Sequence, residues 1–447
     1  MPARRPLTTR PAPPLWRRML PALLALLLIG GVWYGWSRPR NPPVQAAALT
    51  RTVAQDWAQL RTFGPRPVGS PGHERAAEWL AGQLRALGYR VTEQAVTLER
   101  PFDRGGTLRV GALRVPAHAL YGSGGGEQSG RLVALRGGLS RDEMEARGLR
   151  GQIALLRCQD WEDEDLPRGE LVNRATLAGA LGLVLVQDCA VERLERVPAT
   201  PLPLVWVSAG DGAKVWARAG ERAELVSQVE RREVTGRNLI AARVGADPEI
   251  VFGGHLDSVN ASPGANDNAS GVLAVLDLAR RASGTPLADR AWFVLFDAEE
   301  DGLHGSRAFV NAHRYPLRRA RAMLNLDMVG VNAEPLGVAA HAELLPLARA
   351  VRPDVRVFTD DPPGRETFGR SSGVTGSSDH VPFIGWGVRT VFVHRGVDDG
   401  YHAPSDRTLA PALVTDAATF ALDLAGATLK APWTPDEPCE GFRSEGC

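Results

Sequence analysis

The sequence carries almost no surplus of charge of either sign: 52 Lys and Arg stand against 51 Asp and Glu, a formal net charge of +1 over 447 residues. Phosphate binding normally needs a clustered basic excess, so this balance argues against a nucleic-acid partner. Cysteine is scarce, with four in all, and the lack of any Cys-x-x-Cys spacing disfavours a thiolate zinc site. Cys158 with Cys189, and Cys439 with Cys447, are pairings an oxidising compartment would permit; four free thiols is the alternative. No internal repeat is visible. What is present, 44% apolar and 23% charged residues, is the make-up of a globular protein, and the length calls for two domains or one domain with a large insertion.

Met19 to Trp36 is an uncharged, mostly apolar run of about the minimum length to cross a bilayer as a helix. Arg4, Arg5, Arg10, Arg17 and Arg18 precede it, so the positive-inside bias keeps that end in the cytoplasm and sends the rest out. Trp33, Tyr34 and Trp36 suit the far interface. A cleaved signal peptide is the main competing reading, with Ala46 and Ala48 as a small-residue site, but these lie well past the apolar run and behind Pro39, Pro42 and Pro43. The expectation is a single-pass anchor in the cell membrane with an extracytoplasmic body, or secretion after cleavage.

The chain then divides into a basic segment (1–18), the anchor (19–36), a Pro-rich linker (37–48), a first part of the main domain (49–100), an insert (101–232), the second part (233–433) and a loose tail (434–447). The first part reads as two helices around the loop FGPRPVGSPG, the second helix ending on Gly88. The insert shows short apolar runs split by Gly and Pro around a helix at 170–180, and reads as a mostly β module; its WEDED stretch reads as a solvated acidic loop. After Asn238, strands alternate with helices, which predicts an α/β fold with a mostly parallel sheet and helices on both faces.

Four apolar runs of that region are each followed closely by metal-binding side chains. Ile250–Phe252 leads to His255 and Asp257, with Asp267 further on at a helix start; Trp292–Phe296 leads to Asp297, Glu299 and Glu300. Met323–Leu326 leads to Asp327, and Arg389–Val393 leads to Tyr401 and His402, with His394 as a competitor. In open α/β sheets ligands bind outside the carboxyl ends of the strands, so these groups can converge. Two histidines and several carboxylates without cysteine suit a pair of divalent ions better than one structural zinc. Three carboxylates and a hydroxide neutralise two such ions; Glu299 and Glu300, neighbours on an extended segment, point opposite ways, so one can accept a proton while the other binds metal. Ser378, Asp379 and His380 are consecutive and cannot make a serine-hydrolase relay. Asn260 and Asn268 sit in glycosylation-type triplets that fall inside the site.

The strings GGHLDSV, GANDNASG, DAEEDGLHGS, NLDMVG and YHAPSD, in this order over roughly 236–430, closely resemble the motifs of the double-zinc aminopeptidases, metallopeptidase family 28. FGPRPVGSPGHERAAEWL is similar to that family's N-terminal segment, and RGQIALLRC, ATLAGALGLVLVQD and PLPLVWVS resemble, more loosely, an inserted protease-associated domain. The resemblance implies a zinc-exopeptidase fold with two Zn2+ ions: His255 and Asp327 on one, Glu300 and His402 on the other, Asp267 between them. It implies Glu299 as general base, Asp257 as the carboxylate that orients His255, and Tyr401 as the hydroxyl facing the oxyanion. Asn268 stands where many relatives carry a second aspartate. The implied substrates are peptides cleaved from the amino end; a carboxypeptidase or dipeptidase, a receptor-like module and a glutaminyl cyclase are the alternatives. Oligomeric state stays open.

Overall fold

Runs rich in β-branched and aromatic residues build one sheet, and segments with apolar residues at helical spacing cover it. The computed structural model describes residues 40–433 except 138, 163–167, 189–198, 261, 333–334 and 359–377. The expected anchor at 19–36, the tail at 434–447, and Cys189, Cys439 and Cys447 lie outside the described residues; Cys158 is disulfide-bonded.

Helix α1 (Val53–Leu60) starts at a capping box, in which Thr52 and Gln55 satisfy each other's backbone N–H groups. Helix α2 (Pro71–Ala86) begins on Ser70 with Pro71 as its first residue, and Gly88 beyond it takes the left-handed φ of +82° that ends the helix. Strand β1 (Arg90–Val110) then pairs along its length with β7 (Arg222–Ala242) as an antiparallel ribbon. Between them come β2 (Leu113–Ala119), β3 (Gly126–Leu135), α3 (Arg141–Ala146), β4 (Ile153–Arg157), α4 (Arg168–Leu177), β5 (Gly182–Gln187), β6 (Leu204–Ser208) and α5 (Ala209–Trp216). Strands β3 to β6 are parallel neighbours. Parallel neighbours need crossovers, which short helices supply, so the insert carries helices among strands that still make up most of its regular structure. The limits 101 and 232 fall inside β1 and β7, whose pairing runs on past both and is interrupted by a single register shift between Asp103 and Gly106.

The second part contributes β8 (Ile250–His255), α6 (Gly271–Ala282), β9 (Ala291–Phe296), α7 (His304–Ala312), β10 (Ala322–Leu326), β11 (Gly337–Ala340), β12 (Arg356–Val357), β13 (Thr390–His394) and α8 (Pro411–Lys430). Strand order is β7-β9-β8-β10-β13-β11-β12. The four central strands β9, β8, β10 and β13 are parallel, and antiparallel β7 and β11 flank them. Strands β11 and β12 and helix α8 have no counterpart in the sequence reading: the strands are short, and α8 is apolar on most of its circumference, which blurs its period. Helix α8 is long and apolar enough to cross a membrane, but Val414, Phe420 and Leu424 are buried in the same core as Val272, Val275 and Leu276 of α6. It is a core helix.

This arrangement puts the ends of β8, β9 and β10 side by side, at His255, Phe296 and Leu326. Helix α6 begins hard against them, because a Cβ at Gly271 would overlap both the Leu326 carbonyl and the Asn268 side chain. Gly271→Ala is therefore expected to cost about 1–3 kcal/mol through forced separation of helix and strand. Denaturant titration of the metal-free protein checks it; an unchanged midpoint would show that the contact yields freely.

Candidate active site

Asp267 lies at the middle of the site. It follows a loop, residues 256–264, that is fixed from below by a fully buried arginine. Arg66 donates from Nε to the Leu256 carbonyl (2.9 Å), from Nη1 to Pro263 (2.7 Å) and from Nη2 to Gly264 (2.8 Å). Beyond the loop, Asp406 accepts the Asn266 and Asp267 N–H groups at 2.8 and 3.1 Å. Asn268 donates to the Leu326 carbonyl and accepts from Gly271 N, tying this turn to β10 and α6. Asn268 is thus buried within the site, as expected, while Asn260 is exposed.

Held in this way, the Asp267 carboxylate faces two histidines. His255 Nε2 lies 3.1 Å from Oδ1 and His402 Nε2 lies 3.1 Å from Oδ2. Asp327 Oδ1 is 3.5 Å from His255 Nε2, and Glu300 Oε2 is 3.1 Å from His402 Nε2. Three donor sets result among the described residues, His255–Asp267–Asp327, Asp267–Glu300–His402 and His255–Glu299–Glu300, each with its atoms within 4.8 Å of one another. The first two share Asp267. A tetrahedral ion with bonds of about 2.0–2.1 Å has edges of about 3.3 Å, the spacing of these pairs. Asp327 Oδ1 and Glu300 Oε1 are buried without a hydrogen-bond donor, which is costly for carboxylates unless a cation lies beside them. The residues fit a pair of zinc ions.

Electrostatics point the same way. Burial lowers the His255 and His402 imidazoles, but the carboxylates around them outweigh it: His255 is held well above its ordinary value by Asp327 and Glu299, and His402 is pushed up to about 11 by Glu300 and Asp267. Burial, reinforced by Asp267, raises Glu300 to about 7, and burial drives Glu299 well above the ordinary carboxyl range, with Glu300 and Asp379 adding to it. Asp267 is depressed, since the hydrogen bonds from both histidines outweigh its burial.

Glu299 and Glu300 were expected on an extended segment with side chains pointing opposite ways. They stand instead on a tight turn, because Ala298 takes a left-handed φ of 54° directly after β9. Asp257 organises that turn: its two oxygens accept the Glu299 and Glu300 N–H groups, both at 3.1 Å. Its carboxylate is 3.6 Å from His255 Nδ1, but the nearer partner of that nitrogen is the Asp257 backbone carbonyl at 3.2 Å. Asp297, before the turn, is held by His73 of α2 at 2.8–2.9 Å and by the N–H groups of Arg237 and Ala298. Glu299 forms the third set with His255 and Glu300, so it shares the volume of the two sets that meet at Asp267 without belonging to either.

Tyr401 stacks on His402, ring centroids 3.8 Å apart. His394 is in neither donor set; it packs between Phe358 and Phe392, and burial takes it down to about 4. Ser378 donates to Asp327 Oδ2 at 2.7 Å and accepts from Asn325, while His380 stacks on Phe392, so the consecutive Ser-Asp-His makes no relay. Arg66, His73 and Ser378 escape a reading based on strand ends because they sit elsewhere in the chain. The signal for the first two was an arginine and a histidine in the Pro- and Gly-rich stretch before α2.

Residues 238–424 match the model of Peptidase family M28. Aminopeptidase YwaD of Bacillus subtilis is 28% identical over 387 residues, spanning 82% of this chain and 81% of that protein. A probable lipoprotein aminopeptidase, LpqL, of Mycobacterium tuberculosis is 27% identical over 348 residues, 70% of this chain and 68% of its own. The crystal structure of BSAP, a zinc aminopeptidase from Bacillus subtilis, aligns with a TM-score of 0.66 at 25% identity, covering 87% of this chain and 95% of that one.

The Arg66 guanidinium is the strongest tie on the loop between His255 and Asp267. Arg66→Met keeps much of the bulk but strips three buried carbonyls of a charged donor, a loss of about 3 kcal/mol or more. Chemical denaturation of the metal-free variant is expected to show it, with weaker zinc retention in dialysis; an unaltered stability would mean that other contacts hold the loop.

Proposed function

Because the chain belongs to peptidase family M28 and is a metallopeptidase, we propose that it removes N-terminal residues from peptides at a site holding two zinc ions. The observation that carries this reading is the two-sided exposure of Asp267, one oxygen toward His255 and the other toward His402. His255 and Asp327 would hold one ion, Glu300 and His402 the other, with Asp267 bridging. Bound zinc supplies Lewis acidity toward the scissile carbonyl and a water of lowered pKa.

The chain's own residues do the rest. Glu299, on the turn beside the ligands, accepts the proton of the attacking water and returns it to the leaving amine. In the metal-free chain burial pushes its carboxyl above the ordinary range, which brings it closer to being a group that can both take up a proton and return it. Asp257 fixes the turn through the Glu299 and Glu300 N–H groups, and with its carbonyl steadies the His255 ring. Tyr401, seated on His402, offers its hydroxyl to the developing oxyanion. The insert between β1 and β7 serves as a protease-associated domain that shapes access, and the run at 19–36 tethers the body outside the cytoplasmic membrane.

Glu299→Gln is expected to keep its metal and lose about a hundred- to ten-thousandfold in turnover. Zinc analysis beside single-turnover kinetics checks this, and retained turnover would remove Glu299 as the base. Free-amine aminoacyl reporters should be cleaved and their N-acetylated forms refused; the reverse preference would make the enzyme a carboxypeptidase.

Zinc binding is also expected to release protons. His255 and His402 are raised, so in the metal-free protein both imidazoles carry protons at neutral pH that a cation must displace. The sign follows: apparent zinc affinity rises with pH, because fewer protons compete. Calorimetry in buffers of different ionisation enthalpy counts the protons, and His402→Gln should reduce the number. Binding with no proton release would contradict the assignment of the two imidazoles.

A further inference from the structure

The turn that carries Glu299 and Glu300 is gripped at its far end by the insert. Asp301, immediately after Glu300, is buried, and its Oδ1 accepts from Arg100 Nε at 3.1 Å and from the Tyr121 hydroxyl. Arg100 is itself buried, lies on β1 where the ribbon leaves the main sheet, and sits over the Tyr121 ring at 5.3 Å. Tyr121 belongs to the insert. It follows β2, in a loop whose Leu120 and Gly124 N–H groups donate to the Leu204 and Leu202 carbonyls at 3.0 and 3.1 Å. An unbroken line of bonds therefore runs from β6 of the insert, through Tyr121, into the residue next to Glu300.

The ribbon reinforces that grip. Val96, Leu98 and Val234 pack with Val68 around Ala298, the residue just before Glu299. Gly236 of β7 lies so close to Asp297 that a Cβ there would overlap its carboxylate. Gly302 and Leu303 N–H groups donate back to the Glu299 carbonyl at 2.8 and 2.9 Å, so displacement of Asp301 is passed directly to Glu299. Asp257 holds the middle of the segment and His73 its start; only Asp301 connects its end to the insert by side-chain hydrogen bonds among the described residues.

We propose that Tyr121 and Arg100 are positioning residues that act through Asp301 to hold the Glu299–Glu300 turn in place, which makes the insert a working part of the catalytic apparatus as well as a wall around it. The proposal rests on the reading of Glu299 as proton acceptor. Burial, with Asp301 beside it, raises the Tyr121 hydroxyl, so it stays a donor throughout the working pH range.

The test uses the zinc-loaded full chain carrying Tyr121→Phe, Asp301→Asn, or both. Tyr121→Phe keeps the ring over Arg100 and removes one hydroxyl, so it is the variant expected to fold normally. It should lower kcat by roughly tenfold, as a small misplacement of a catalytic group does, and leave KM within about twofold. Asp301→Asn keeps an acceptor oxygen but loses the charge that the Arg100 and Tyr121 donors meet, so it should fall similarly, and the double variant little further than the worse single one, because both weaken the same Tyr121–Asp301 link. In the metal-free protein, amide exchange at residues 299–304 should quicken in Tyr121→Phe while β4 and β5 of the insert keep their protection. Unchanged kcat with unchanged exchange, or losses that multiply in the double variant, overturns the proposal. Should Glu299→Gln retain turnover while exchange at 299–304 still responds to Tyr121→Phe, the identity of the base fails and the grip on the turn stands.

Discussion

The molecule depends on how buried carboxylates are satisfied. Around the site they fall into two rings. The outer ring, Asp257, Asp297 and Asp406, accepts backbone N–H groups: Asp257 from Glu299 and Glu300, Asp297 from Arg237 and Ala298, Asp406 from Asn266 and Asp267. A carboxyl group can accept two or more N–H groups at once, so each outer acid immobilises a stretch of chain beside an inner one. The inner ring, Asp267, Asp327 and Glu300, meets histidines and leaves Asp327 Oδ1 and Glu300 Oε1 without donors. That division separates the acids that hold the loops from the acids left free to meet the cations of the proposed site.

The fold makes such a division possible at low cost in backbone. Parallel strands deliver chain ends at one edge, and turns that leave them without regular pairing expose N–H groups in the same place. After β9 the left-handed Ala298 redirects those N–H groups toward Asp257, and after β8 the loop to Asp267 is gathered by Arg66, which arrives from the opposite end of the sequence. The first part of the domain thus supplies more than a flanking pair of helices. His73 on α2 and Arg66 before it reach into the ring of acids, so the second part, 233–433, has a site some of whose supports lie outside its own span.

What was legible in the sequence follows from this geometry. His255, Asp267, Glu300, Asp327 and His402 could be found because each stands just beyond an apolar strand or at a helix start, and short-range pattern marks those positions well. The central strands and helix α6 were readable for the same reason. The supports were not. Arg66, His73, Arg100, Tyr121 and Ser378 act across 50 to more than 200 positions, and nothing in their local pattern separates a buried arginine with three carbonyl partners from a solvated one. The Glu299–Glu300 segment was misread as extended since a left-handed alanine has no signature of its own. Helix α8 hid in uniform apolarity.

Charge balance links the site to the state of the chain before metal arrives. With Glu299 favoured in its protonated form, and with His255 and His402 raised by their carboxylate neighbours, protons on the imidazoles stand where cations would, so the acids are not left facing one another unpaired. On the proposed two-ion reading, cations entering this volume would replace protons and add charge, which the oxygens of Asp327 and Glu300 that lack donors among the described residues would meet. The same exchange would alter Glu299, since nearby cations favour its ionised form and oppose the burial that favours its protonated one. If Glu299 is the proton acceptor proposed above, that opposition is what would let one carboxyl both accept a proton and release it.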